Sequence, residues 1–230
     1  MNGILYGIGV GPGDPELMTL KAVRIIRENE VIAVPGETAK ETVAYNIAVQ
    51  AVPELAQKHL LAIPMPMTHD QEKMRMHHEN GAALIESYLK KGKNVVFLTL
   101  GDPTIYSTFS YLQKLVKKNG FETSLVSGIP SFCAAAARMD LPLTEWNQPL
   151  HVLPAAHRLE NKLEQPGTYV LMKTGKNMKQ VKELLAESDR DIVMVENCGM
   201  ENEHIYQCAE EIPDSAGYYS LIIAKEKTEV

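Results

Sequence analysis

The stretch Gly7-Ile8-Gly9-Val10-Gly11-Pro12-Gly13-Asp14-Pro15 decides how the rest of the chain is read. It closes an apolar run, residues 4–10, with the length of a buried strand. It opens onto Pro15, Glu16, Leu17, Leu20, Ala22, Val23 and Ile26, whose spacing is helical. Asp14 is a natural N-cap, and Pro15 suits the first helical position. A strand, a glycine-rich turn and a helix in that order form the usual setting of a phosphate or cofactor turn. The dinucleotide spacing fails, however. Counted from Gly7 the third required glycine falls on Pro12, and counted from Gly9 it falls on Asp14. The P-loop lysine is missing. The acidic residue that Rossmann-type methyltransferases place two positions before their first glycine is Leu5 here. A tight strand-to-helix turn with no ligand stays open as the plain alternative.

Outward from this turn, strand and helix patterns alternate. Residues 31–34 read as a short strand, 42–52 as a helix and 58–65 as a strand. Residues 71–91 form one amphipathic helix closed by Gly92, and 95–100 form a strand ending at Gly101-Asp102-Pro103. A helix over 105–118, a strand over 121–126 and an alanine-rich helix over 131–139 follow. Beyond them strands at 151–154, 169–172, 192–196, 204–208 and 219–225 surround one helix at 178–188. The first part has the pattern of a mostly parallel sheet and the second that of a mixed one. The expected class is α/β in two domains, residues 1–128 and 129–230.

Composition narrows the function. The 230 residues carry 23 Lys+Arg against 29 Asp+Glu, a formal net charge of −6. That balance opposes non-specific nucleic-acid binding, which needs a positive field, although a local basic pocket for a small anion stays open. Cys133, Cys198 and Cys208 are too few and too scattered for a disulfide framework, and no CxxC spacing suggests structural zinc. The opening residues lack a basic segment followed by an apolar one, and no apolar run nears the roughly 20 residues that span a bilayer. A soluble, cytoplasmic protein without membrane partners is expected.

A second turn, Thr99-Leu100-Gly101-Asp102-Pro103-Thr104-Ile105-Tyr106-Ser107, ends the clearest strand. The Asp102 carboxylate either caps the following helix or faces the cleft beyond the strand ends, where open α/β sheets bind ligands. The first turn with its continuation Glu16-Leu17-Met18-Thr19-Leu20-Lys21-Ala22, then Gly101-Asp102-Pro103, then Ser127-Gly128-Ile129-Pro130-Ser131, resembles in order the tetrapyrrole methylase family. The likeness covers essentially the whole chain. Residues 63–68, the run from Thr99 to Phe109, and Tyr218-Tyr219-Ser220-Leu221-Ile222-Ile223 are most similar to the members that methylate C20 in cobalamin biosynthesis. The family usually has glycine where this chain has Asp140.

The resemblance implies a non-Rossmann methyltransferase with S-adenosylmethionine bound between two α/β domains. The substrate would be precorrin-2 or its cobalt form, with C11 or C17 methylation, or a non-catalytic donor-binding role, as alternatives. It assigns the donor to Gly11, Pro12, Gly101, Asp102, Ile105, Tyr106, Pro130, Ser131, Met172 and, through backbone, Cys198. Asp102, Tyr218, Tyr219 and Lys176 are the candidates for catalysis. Lys173, Lys176, Arg158 and His157 are the candidates for the substrate's carboxylates, since a chain of net charge −6 needs a locally positive cleft. A homodimer is implied. No protein-held metal is expected: His77 and His78 are adjacent, and adjacent helical side chains point in different directions.

Overall fold

Two sheets of different construction organise the chain. The computed structural model describes residues 1–66, 68, 70–154 and 163–227, the side chain of Lys176 excepted. The chain divides into two compact units, Met1–Pro130 and Ser131–Val230.

In the first unit the strands are β1 (Leu5–Gly9), β2 (Val31–Pro35), β3 (His59–Ile63), β4 (Val95–Thr99) and β5 (Thr123–Val126). They form a wholly parallel sheet in the order β3-β2-β4-β1-β5. Parallel pairing requires long crossovers, and the helices supply them. These are α1 (Leu20–Glu28), α2 (Val43–Ala51), α3 (Gln71–Leu89) and α4 (Phe109–Lys118). Alternate strand residues point to opposite faces. Ile8, Val10, Ile32, Val34, Val96 and Leu98 therefore pack with Ile25, Ile26, Ile47 and Ala48 of α1 and α2. Leu5, Ala33, Ile63, Val95 and Phe97 pack with Ile85, Leu89, Phe109 and Leu112 of α3 and α4. Covered on both faces, the middle strands β2 and β4 read as nearly unbroken apolar runs.

Two helix starts differ from the sequence reading. Asp14 does cap, its side chain accepting the Glu16 N–H at 2.8 Å, but it caps only a 3-10 turn over Pro15–Leu17. Thr19 then starts α1 by accepting the Ala22 N–H at 3.2 Å. The helix expected from residue 105 begins at Phe109, because Tyr106 takes a left-handed φ of 48°. The Ser107 side chain, held by Thr99 at 2.9 Å, accepts the Phe109 N–H at 3.2 Å.

The second unit begins with α5 (Ser131–Arg138), followed by β6 (Leu150–Pro154), β7 (Thr168–Met172), α6 (Met178–Ala186), β8 (Arg190–Glu196), β9 (His204–Tyr206) and β10 (Ser220–Glu226). Its sheet order is β6-β7-β10-β8-β9. β6 and β7 run parallel, and β10 runs antiparallel to both β7 and β8. Tyr169, Leu171, Met194 and Ile222 meet α6 on one face, and α5 lies against β10. Among the described residues, no helix is long and apolar enough to cross a membrane.

Candidate active site

Three neighbouring parallel strands, β4, β1 and β5, end side by side, and the turns that leave them interlock through backbone. Gly11 and Gly101 bridge each other: Gly101 N–H donates to Gly11 O at 2.8 Å and Gly11 N–H to Gly101 O at 3.4 Å. Both have left-handed φ, 78° and 68°, a conformation open to glycine at little cost. The approach behind them leaves no room for side chains. A β-carbon on Gly9 would lie 2.4 Å from Gly101 O, and one on Gly128 would lie 2.2 Å from the same oxygen.

Asp102 ties this arrangement together. It is buried, and its Oδ1 accepts the Thr104 N–H at 2.7 Å and the Thr104 hydroxyl. Its Oδ2 accepts the Gly128 N–H at 3.0 Å. Both carboxylate oxygens are thus engaged by neighbouring N–H and hydroxyl groups. It caps the local turn and also reaches across to the turn after β5. Thr19 adds a bond from its hydroxyl to Ser127 O at 3.4 Å. Gly11, Pro12 and Gly101 are buried, Ile105 and Pro130 half-buried, and Tyr106 is exposed.

In the second unit, Ser131 starts α5 and is half-buried. Other named residues meet at one end of the second sheet. The register places Leu221 opposite Met172 and Ser220 opposite Glu196, so β10 begins where β7 and β8 finish. Met172 and Lys173 therefore neighbour the turn that carries Tyr218 and Tyr219. Lys173 Nζ lies 5.7 Å from the Tyr218 ring centroid, and the two tyrosine rings meet edge to face at 5.2 Å. Asn197 N–H donates to Tyr219 O at 3.1 Å, which places the segment holding Cys198 beside them.

Electrostatics distinguish these groups. Cys198 is buried, and burial pushes its thiol up to about 11, with the Glu203 charge adding to the rise and Arg138 opposing it. The thiol is therefore protonated at neutral pH. Burial also raises the Tyr219 phenol, and Tyr218 adds to that. Glu196, which the sequence did not single out, supports the tyrosine turn. Its Oε1 accepts the Gly217 N–H at 2.7 Å and its Oε2 accepts the Tyr206 hydroxyl at 3.0 Å.

His157 and Arg158 lie outside the described residues, as does the Lys176 side chain, although the Lys176 backbone sits in the 3-10 turn Gly175–Asn177. His78 stacks on Tyr111 with centroids 4.7 Å apart, and burial, with His77 beside it, lowers its pKa. Among the described residues no group of His, Cys, Asp and Glu is arranged to hold a metal.

Comparison with known proteins matches residues 4–213 to the family model described as Tetrapyrrole (Corrin/Porphyrin) Methylases. A protein of Methanocaldococcus jannaschii named probable cobalt-precorrin-2 C(20)-methyltransferase is 36% identical over 203 residues, covering 87% of this chain and 85% of its own length. The cobalt-precorrin-2 C(20)-methyltransferase of Salmonella typhimurium is 30% identical over 239 residues, covering 100% and 99%. Among solved structures, the uroporphyrin-III C-methyltransferase of Thermus thermophilus in complex with S-adenosylhomocysteine superposes with a TM-score of 0.72. Its identity is 20%, and the match covers 97% of this chain and 98% of the other.

Proposed function

Because the chain belongs to the tetrapyrrole methylase family, we propose that it transfers a methyl group from S-adenosylmethionine to C20 of cobalt-precorrin-2 in cobalamin biosynthesis. The observation that carries this reading is the 36% identity, spread over 87% of the chain, to a relative named for that reaction. The full-length relative named for the same cobalt-containing substrate supports it further.

S-adenosylmethionine supplies a methyl group on a sulfonium, whose thioether leaves as a neutral molecule. The protein's task is then mainly to align nucleophilic carbon, methyl and sulfur, and such positioning can contribute about 7–11 kcal/mol. The chain's groups suit that task. The turns around Gly11, Pro12 and Gly101 offer backbone held in one arrangement by Asp102. Ile105, Tyr106, Pro130, Ser131, Met172 and Cys198 keep the donor contacts that the resemblance gives them. A protonated Cys198 thiol also fits beside an alkylating donor, because the thiolate is the form that would take up the methyl group.

On the substrate side, Lys173 faces the Tyr218 ring and supplies positive charge for peripheral carboxylates, a role shared with Lys176, His157 and Arg158. Tyr218 and Tyr219 are assigned to the macrocycle, and Asp102 acts on it only by positioning the turn. The enzyme would work in the cytoplasm as a homodimer. Its free cysteines suit a reducing compartment, and light scattering of the purified protein checks the dimer.

The deciding experiment is an anaerobic incubation with isotopically labelled donor and either cobalt-precorrin-2 or metal-free precorrin-2, with the product mapped by NMR. Label at C20, with faster turnover of the cobalt form, is expected. Label at C11 or C17, or donor binding without turnover, would replace this reading.

A further inference from the structure

Two segments of the second unit are assigned to the donor: the start of α5 at Ser131, and the turn after β8 that holds Cys198. An ion pair absent from the sequence motifs joins the elements that carry them. Arg138, the last residue of α5, donates from Nε to Glu203 Oε1 at 2.6 Å. The other carboxylate oxygen of Glu203, Oε2, accepts the backbone N–H of Gly199 at 2.8 Å.

That turn needs support. Asn197 and Gly199 both adopt left-handed φ, 52° and 72°. For a non-glycine residue such a conformation persists only where the surroundings over-determine it. Met200 N–H to Asn197 O at 2.8 Å, Glu203 N–H to Met200 O at 3.1 Å, and Asn197 Nδ2 to Asn202 O at 3.2 Å close the loop on itself. Glu203 connects it to α5 through a charged group. The Glu203 side chain is 14% exposed. Burial alone would raise its carboxyl pKa, but the Gly199 N–H and Arg138 outweigh burial and hold it below the usual range. The carboxylate is thus an ionised two-sided acceptor, the form in which hydrogen bonds are strongest.

We infer that Glu203 is a positioning residue for the methyl donor: bonded to Gly199 and Arg138, it fixes the backbone at Cys198 and Gly199 relative to the helix that begins at Ser131. The inference rests on the donor assignments proposed above. Glu203 touches no donor atom in this scheme and acts through the turn.

The test uses the full-length protein, with S-adenosylhomocysteine affinity measured by titration calorimetry and steady-state kinetics measured on the macrocycle. Glu203→Ala should weaken S-adenosylhomocysteine by about tenfold, the scale of one lost charge-assisted hydrogen bond. Glu203→Gln keeps an acceptor for Gly199 and should recover most of that affinity. The donor KM should rise in Glu203→Ala, while kcat at saturating donor and the KM for the macrocycle stay near wild type. A merely structural role would not produce that split. Arg138→Gln, a change at an exposed side chain, should weaken the donor by about threefold through loss of the ion pair, and it carries the test if Glu203→Ala fails to fold. Folded variants that bind S-adenosylhomocysteine as wild type does, or that lose kcat with donor KM unmoved, overturn the inference alone. A wild-type protein that does not bind S-adenosylhomocysteine overturns the donor reading and this inference with it.

Discussion

Asp102 Oδ2 and the Gly128 N–H are joined by a 3.0 Å hydrogen bond, so the turn after β4 is fastened to the turn after β5 by a buried carboxylate. Because β1 lies between those two strands, the bond spans the exit of β1 and fixes the space into which its glycine turn projects.

Replacing Asp102 by Ala should leave the buried Gly128 N–H without its acceptor, at a cost of about 1–3 kcal/mol in stability. The fold should survive, and turnover should fall by more than about tenfold, which corresponds to about 1.4 kcal/mol of misplacement in the transition state. Asp102→Asn, which keeps an acceptor oxygen, should recover part of both losses. Urea unfolding, S-adenosylhomocysteine titration and turnover together check this. Wild-type turnover and donor affinity in the Ala variant would leave Asp102 with a capping role only.

Gly11→Val should abolish donor binding. The nearest atom to a β-carbon at Gly11 is Leu17 O at 3.4 Å, so space near the backbone is adequate and the obstacle is conformational. A β-branched residue held at φ 78° is strained by at least about 1–2 kcal/mol, and its methyls stand where the backbone is otherwise bare. Calorimetry with S-adenosylhomocysteine on a variant shown folded by circular dichroism is the measurement. Undiminished affinity would reduce the first turn to a structural element.

Stability should depend on pH through Cys198. Its folded-state pKa is raised from an ordinary 9.0 to about 11, so the folded state holds the proton more tightly than the unfolded chain does. Below the ordinary value both states are protonated and the contribution is fully present. As pH rises from about 9 through about 11 the unfolded state ionises first, and stability is lost. Denaturation midpoints should fall across that window and fall less in Cys198→Ala. A thiol reagent at pH 8 should modify Cys133, which is exposed, well before Cys198. Equal rates would contradict the burial argument.

Most of the architecture was legible because the middle strands of the first sheet, β2 and β4, are covered on both faces and read as short apolar runs, with glycines close behind their ends. The breaks inside helices were not legible. Pro15 to Ile26 keeps helical spacing throughout, yet the Thr19 hydroxyl restarts the helix, and hydrophobic periodicity does not register a hydroxyl hydrogen bond. The turns proposed for the donor are marked in the sequence by glycine and proline. The Asp102 carboxylate did not announce its partner, because Gly128 is 26 residues away and contributes only a backbone N–H. Arg138 and Glu203, 65 residues apart, resemble ordinary surface charges until the fold brings them together. Asp140 stands at φ 52°, a left-handed conformation that glycine would adopt at lower cost.

On the substrate role proposed for Lys173, Lys173→Ala should raise the KM for the macrocycle by about three- to tenfold while leaving S-adenosylhomocysteine affinity unchanged, through loss of the cation that lies over the Tyr218 ring. The wild-type KM should rise with added salt, and that dependence should be shallower in the variant, because screening acts on the charge that was removed. Equal salt dependence in both proteins would remove Lys173 from the substrate-binding group.

The placement of β10 has a consequence for how the second unit is made. This strand occupies the middle of its sheet, yet it is the last of the described strands to leave the ribosome. Until residues 220–226 emerge, β6 with β7 and β8 with β9 are two separate pairs, each presenting an unpaired inner edge. A nascent or truncated chain that stops before Ser220 therefore does not lack a border strand; it holds two half-sheets with open edges, the form most prone to pair with another chain. Premature termination in this region should yield aggregation rather than a shorter, weakened enzyme.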